Sequence, residues 1–236
     1  FKNHHGENVL EIGCGVGTDT VEYSKNGAKI SAIDLGEDQI KLTKLNLELR
    51  GLKYENIKVA NVEELDFHDK SFDLVYCFGV LHHTKDINKA VNEIYRVLKD
   101  DGHALIMLYS RGWKHYIKRC FIQGILKGKI FKYNFDWQKL YNEISEVHGN
   151  SPMTLVLKKK EIIKLFKDFA TIEISKDRLG EFFEYKPYNS VMFPKFISKI
   201  FYFFSLEKFL GENWKIKVSK TKKEKESLKN VLFKKY

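Results

Sequence analysis

Three glycines at every second position, Gly13, Gly15 and Gly17, follow an apolar run holding one acid, Glu11, in "VLEIGCGVGTDT" (residues 9–20). Glycine has no Cβ and takes positive φ freely, so such a chain can come close to a ligand and turn its own N–H groups toward it. A helix opening directly behind, at Thr18 or Asp19, adds the positive end of its dipole, and a flat or anionic group is the natural guest. Asp19 with Glu22 three residues on fits a capping box at that start. A second acid, Asp34, closes the next apolar run, where α/β nucleotide sites place a carboxylate on ribose hydroxyls. His82 and His83 form a third feature, since a neutral imidazole near pH 7 can take a proton from an acceptor.

These groups can work together only if strands bring them to one edge. Apolar runs of strand length alternate with helical patterns through the first half, at residues 8–12, 29–33, 57–60, 72–78 and 104–109, which predicts parallel βαβ units. Between them, Leu42, Leu45 and Leu49 share one helical face, as do Ile87, Ala90, Val91, Ile94 and Leu98, and both helices are expected to cover the sheet. In the second half, Ile162, Leu165, Phe166 and Phe169 mark another amphipathic helix ahead of "ATIEIS". "NWKIKVSK" alternates with period two and is expected to pair with it as a closing hairpin. Both His82–His83, after the fourth strand, and the segment after the fifth fall at the edge where a ligand crevice opens.

With 236 residues the chain suits one domain, divided into a glycine-loop half (1–110), an insertion (111–158), a late helix with closing strands (159–219) and a basic tail (220–236). The net charge of +10 is unevenly placed. Seven basic residues and no acid lie between Arg111 and Lys132, and seven lysines against Glu224 and Glu226 lie between Lys220 and the end, leaving the remainder near neutral. Cys14, Cys77 and Cys120 are odd in number and widely spaced, which predicts reduced thiols rather than a disulfide framework or a zinc site. No signal-peptide pattern opens the chain and no apolar stretch reaches about 18 residues, so a soluble cytoplasmic protein is expected. The chain opens on Phe1 rather than Met, close to its first strand, so an upstream segment, and any lid it carried, would lie outside it.

Dinucleotide sites carry G-x-G-x-x-G, whereas this chain has E-x-G-x-G-x-G, which sets an NAD oxidoreductase aside. The pattern resembles motif I of the class I S-adenosylmethionine-dependent methyltransferases. "AIDLGEDQI" is similar to that family's second motif, and "ANVEELDFHDKSFDLVYCFGVLHHTKD" and "INKAVNEIYRVLKDDGHALIML" are similar to the segments that follow, so the resemblance runs from residue 8 to about 109. "SPMTLVLKKKEIIKLFKDF" and "LGENWKIKVSK" resemble the late helix and last strand of small-molecule members. The resemblance implies a Rossmann-like α/β fold: a mostly parallel seven-stranded sheet, helices on both faces and a helical lid insertion. It implies S-adenosylmethionine as cofactor, with Gly13, Cys14, Gly15 and Gly17 approaching the methionine half and Glu11 ordering the loop. Asp34 would bind the ribose, Leu35 lie beside the adenine, Asn61 and Val62 face it, and Phe78 offer its backbone carbonyl to the amino group. Where the family has an Asp, this chain has Asn61, whose amide oxygen still accepts a hydrogen bond.

Methyl transfer from a sulfonium is an in-line displacement, so a protein chiefly aligns the partners and excludes water. His82 or His83 could serve as a general base; His115 and His148 are further candidates. The chain has no N-P-P-Y or D-P-P-Y after strand four, no Pro-Cys nucleophile and no acid ending that strand to hold magnesium, and Cys77 falls inside a strand as core; a metal-independent transferase is expected. Between Arg111 and Lys132, Trp113, Ile117, Cys120 and Phe121 lie at helical spacing, with Lys114, Lys118 and Arg119 largely off that face. Three roles stay open for the segment: a packed lid helix, a site for a membrane surface or an anionic lipophilic substrate assisted by the aromatic stretch 193–210, or a nucleic-acid patch. The expected acceptor is a small or lipid-like molecule methylated at O, N or C; the alternatives are an RNA methyltransferase and a catalytically inactive cofactor-binding interaction module.

Overall fold

A computed structural model describes residues 1–111, 120–145, 154–176 and 213–221. Trp113, His115 and Ile117, together with His148, the stretch 193–210 and the tail beyond 221, lie outside the described residues. Seven strands form one sheet: β1 (Asn8–Ile12), β2 (Lys29–Asp34), β3 (Asn56–Val59), β4 (Phe72–Phe78), β5 (Leu98–Tyr109), β6 (Thr171–Lys176) and β7 (Asn213–Ser219), in the order β3-β2-β1-β4-β5-β7-β6. Neighbours from β3 through β5 are parallel, and β7 is antiparallel to both β5 and β6. After β3 the chain returns across the sheet to place β4 beside β1, so the strand order reverses there. At such a switch point, connections leave adjacent strand ends in opposite directions and open a crevice.

Among the described residues the α-helices are α1 (Thr18–Lys25), α2 (Glu37–Glu48), α3 (Ile87–Val97), α4 (Trp137–Ser145) and α5 (Lys159–Leu165). Of the expected α3 face, Ala90, Val91 and Ile94 are buried with Leu10, Ile12, Val75 and Cys77, Ile87 is partly buried, and Val97 closes the helix in place of Leu98, which belongs to β5; the Asp86 carboxylate caps the helix by accepting from Asn88 N–H at 3.0 Å and Lys89 N–H at 3.2 Å. The late apolar stripe also packs inward, but its helix stops at Leu165: Ile162 on α5 and Phe166 and Phe169 beyond it are buried in one core with Ile216 and Val218 of β7, and Leu165 is partly buried.

Five expectations about these elements are corrected. Leu42, Leu45 and Leu49 do not cover the sheet; they are exposed, and α2 buries Ile40, Thr43 and Leu47 instead. Asp19 and Glu22 make no capping box: Gly17 caps α1 with φ 81° and no side-chain bond, and the Asp19 carboxylate accepts from the Tyr76 hydroxyl at 2.9 Å. β5 begins at Leu98 rather than Ala104, because Leu98 pairs with Phe72 and Gly102 fits between three carbonyls, those of Phe72, Asp73 and Lys99, which an added Cβ would meet at 3.0–3.1 Å. β6 and β7 pair antiparallel, but residues 177–212 separate them and β7 is the strand that enters against β5, so they are no tight hairpin. Lys220, counted with the tail by charge, is anchored: its ammonium donates to Leu98 O at 2.6 Å and lies 4.5 Å from the Tyr95 ring centre.

Candidate active site

The glycine loop leaves β1 at the switch point and is strapped to the end of β2. Gly13 N–H and Cys14 N–H both donate to Ile33 O, at 2.8 and 3.1 Å, and Gly15 N–H donates to Asp34 Oδ2 at 2.9 Å. The second Asp34 oxygen accepts from Gly36 N–H at 3.1 Å. One carboxylate therefore joins the loop after β1 to the turn after β2, and each oxygen keeps a lone pair for a further donor.

All three loop glycines have positive φ, but they open onto different things. A Cβ on Gly13 would run into the Val80 side chain, and one on Gly17 would meet Thr43 at 2.9–3.1 Å. At Gly15 a Cβ would find nothing within 4 Å. Gly13 and Gly17 thus serve the protein's own packing, and Gly15 alone of the three faces open space. Large apolar side chains are exposed in the same loop and at the carboxyl ends of β2 and β4: Val16 in the loop, Leu35 (72% exposed) directly after β2, and Phe78 ending β4. Such large exposed side chains beside hydrogen-bonding backbone form a cradle for a ligand with one flat apolar part and one polar part.

Two residues missed by sequence reasoning brace the loop from α2. The Thr43 hydroxyl donates to Gly15 O at 3.0 Å and approaches Cys14 Sγ at 3.4 Å, and Asn46 Nδ2 donates to Val16 O at 2.9 Å. Their signal was the i, i+3 pair of small polar residues interrupting a leucine stripe. Loop carbonyls without strand partners need donors, and that requirement turns the Thr43 side of α2 inward. A Thr43→Val variant keeps the shape and removes the donor; it is expected to lower stability by about 1 kcal/mol and cofactor affinity by about fivefold, checked by thermal melting and calorimetry.

Glu11 lies beneath the loop, buried, and accepts a hydrogen bond from the Thr20 hydroxyl of α1, which fixes the first turn behind the glycines. Burial, with Asp19 and Asp34 nearby, pushes its carboxyl up to about 8, the Thr20 bond acting in the opposite sense. The folded state thus holds a proton that the unfolded chain gives up near 4.5, and stability is expected to fall as pH rises between those values and to level above 8. Melting temperatures of the wild type and Glu11→Gln from pH 5 to 9 check this, the variant losing that part of the slope.

The other site residues are placed less uniformly. Asn61 is exposed, and its Oδ1 already accepts from Glu63 N–H at 3.0 Å, leaving one lone pair for a ligand. Val62, expected to face the adenine, is instead buried in the main core, so its side chain does not line the crevice. Phe78 ends β4 with its ring stacked on Tyr76, centres 5.6 Å apart. Burial pushes the Cys14 thiol up to about 11 and the Cys77 thiol up to about 12, which leaves both protonated and inert. His82 is fully buried with its ring centre 3.8 Å from that of Tyr109, and this overturns it as a group that meets an acceptor directly. His83 is half-buried, with Nδ1 3.3 Å from the Thr154 hydroxyl. Thr154 in turn is held by α4, since its N–H donates to Asn142 Oδ1 at 3.1 Å and its carbonyl accepts from Gln138 Nε2 at 2.8 Å.

Residues 10–106 match the family described as "Methyltransferase domain". Those residues form a class I S-adenosylmethionine-dependent methyltransferase domain. The domain shares 31% identity over 99 residues with the uncharacterized methyltransferase YcgJ of Bacillus subtilis, covering 42% of this chain and 39% of that protein. It also shares 27% identity over 141 residues with the ubiquinone biosynthesis O-methyltransferase of Rickettsia prowazekii, covering 59% of this chain and 55% of the relative. The chain thus spans about half the length of the curated relatives it matches. In fold it resembles a SAM-dependent methyltransferase of Methanosarcina mazei (TM-score 0.60, 20% identity, 93% of this chain and 96% of that one). A Thermotoga maritima methyltransferase described as a possible histamine N-methyltransferase is similar at TM-score 0.58 and 17% identity, over 91% and 83% of the two chains. S-adenosylmethionine is the methyltransferase domain's cofactor, and the residues present fit it: of the three loop glycines only Gly15 opens onto free space, a carboxylate stands at the end of β2, and exposed apolar side chains follow or end the strands.

Proposed function

We propose that the chain transfers a methyl group from S-adenosylmethionine to oxygen, nitrogen or carbon of a small or lipid-like acceptor. The observation that carries this is the Gly15–Asp34 pairing, in which the one of the three loop glycines that faces open space donates its N–H to the carboxylate at the end of β2. Relatives named for O-methylation in ubiquinone biosynthesis support a small-molecule acceptor, and three buried free thiols support a reducing, cytoplasmic setting.

The bound cofactor supplies an electrophilic methyl and a neutral leaving group. The chain's own residues orient it. Asp34 takes the ribose hydroxyls, Gly15 lets the methionine half approach the backbone, Leu35 and the Val62 backbone flank the adenine, and the Asn61 amide oxygen accepts from its amino group. The Phe78 carbonyl faces the ammonium. For a hydroxyl or phenol acceptor, His83 takes the departing proton at its Nε2 while the Thr154 hydroxyl holds Nδ1, and α4 keeps Thr154 in place. Calorimetry with S-adenosylmethionine and its demethylated product tests the binding step; no uptake of either overturns the proposal. A screen of phenolic, amine and lipid-like acceptors tests transfer, and His83→Gln is expected to lower kcat on hydroxyl acceptors about 100-fold with the cofactor Kd unchanged.

A further inference from the structure

The chain leaving β5 at the cofactor edge builds a small helical cap from the π-helical segment Cys120–Leu126, the 3-10 helix Lys129–Tyr133 and α4. Its inner side is closed: Cys120, Ile130, Leu140 and Tyr141 are buried, and Gly124 fits so tightly that a Cβ there would lie 2.7 Å from Leu140 and 3.0 Å from Trp137. Its outer side carries five large apolar residues in the open: Phe121 (50% exposed), Ile125 (52%), Leu126 (68%), Phe131 (68%) and Phe135 (62%). Scattered exposed apolar residues are ordinary; this many on one short unit mark a surface that another phase or molecule covers.

Phe135 has φ 63° directly after Asn134 at φ 48°. An aromatic residue in the left-handed region is strained, and here Phe135 N–H bonded to Ile130 O at 3.1 Å keeps it there with its ring outward. The Phe131 and Phe135 rings meet edge to face, centres 5.4 Å apart. The same cap carries Lys127, Lys129, Lys132 and Lys139 against Asp136 and Glu143. Glu143 is shared by Lys129 and Lys132 at 3.3 Å each, and Lys139 pairs with Asp136 at 3.6 Å, so positive charge is in excess.

We propose that this cap seats the protein on an anionic lipid surface, its five apolar side chains entering the boundary between headgroups and acyl chains and its lysines meeting lipid phosphates. The combination selects that partner. A second copy of this chain docked face to face would bring two cationic surfaces together. A polynucleotide would take the charge and stack on the rings but leave Ile125 and Leu126 against water. An anionic bilayer satisfies both, because lysine stems lie along apolar surface while their heads reach phosphate. The proposal does not depend on the reaction the chain performs.

The test is co-sedimentation of the full chain with vesicles of phosphatidylcholine alone and with about one third phosphatidylglycerol, at low and high salt, beside Phe131→Ser/Phe135→Ser and Lys127→Glu. Expected is uptake on the anionic vesicles about tenfold or more above the neutral ones, reduced by salt, and about tenfold weaker for the double variant with unchanged circular dichroism and melting. Lys127→Glu, at an exposed turn, should weaken uptake on its own. No preference for anionic vesicles, or equal uptake by all three proteins, overturns the proposal. So does retention of a single-stranded RNA oligonucleotide without vesicle uptake, or a dimer that the double variant dissolves without vesicle uptake.

Discussion

A Gly15→Val chain is expected to fold and to lose its cofactor. Valine at φ 55° costs about 1–2 kcal/mol of backbone strain, but its Cβ meets no protein atom within 4 Å, so the core and the sheet are untouched. The added branches stand instead in the crevice, over the N–H that Asp34 holds, and affinity for S-adenosylmethionine should fall about 100-fold or more, equivalent to about 2.7 kcal/mol. Gly13→Val gives the opposite balance: its side chain collides with Val80 and it adopts φ 79°, so overpacking adds about 1–3 kcal/mol to the strain and the fold itself suffers. Melting separates the two variants, and calorimetry with the demethylated product reads the loss. Wild-type affinity in Gly15→Val would sink the placement of the cofactor.

Asp34→Ala has the second largest effect because it acts twice. Gly15 N–H and Gly36 N–H lose their shared acceptor, so the loop and the turn after β2 come apart, and the ribose loses its carboxylate. Hydrogen bonds to a charged group contribute about 1.5–3 kcal/mol each, and part of that loss falls on stability, so the loss in affinity should reach about 2 kcal/mol, near 30-fold in Kd. Asp34→Asn keeps one acceptor oxygen and should fall between the two. Calorimetry on the three proteins checks the order, and an Asn variant weaker than Ala would contradict the bracing role.

Much of the fold is legible in the sequence. Strands β1 and β4 run over the residues expected, β2 gains only Asp34, and the α3 stripe faces inward, because long apolar periodicity dominates where an element is buried deeply on one or both sides. The α2 leucines misled for a physical reason. Counting apolar residues alone gives Leu42, Leu45 and Leu49 the inward face, yet the helix turns by its polar Thr43 and Asn46, which supply donors to loop carbonyls belonging to another segment. The capping box failed similarly, Asp19 being drawn to a hydroxyl on β4, 57 residues along the chain.

By itself the sequence determined the alternation of strands and helices, the Cβ-free loop behind β1 and the acid at the end of β2, since these rest on residue type and local spacing. Only the tertiary structure decided the β3-β2-β1-β4-β5-β7-β6 order, that Gly15 and not Gly13 or Gly17 faces open space, and that His82 is sealed inside while His83 is held by Thr154. Each of those depends on which distant segment packs against a residue. Val80, Thr43 and Tyr109 are far in sequence from the groups they cover, and no local pattern records that pairing.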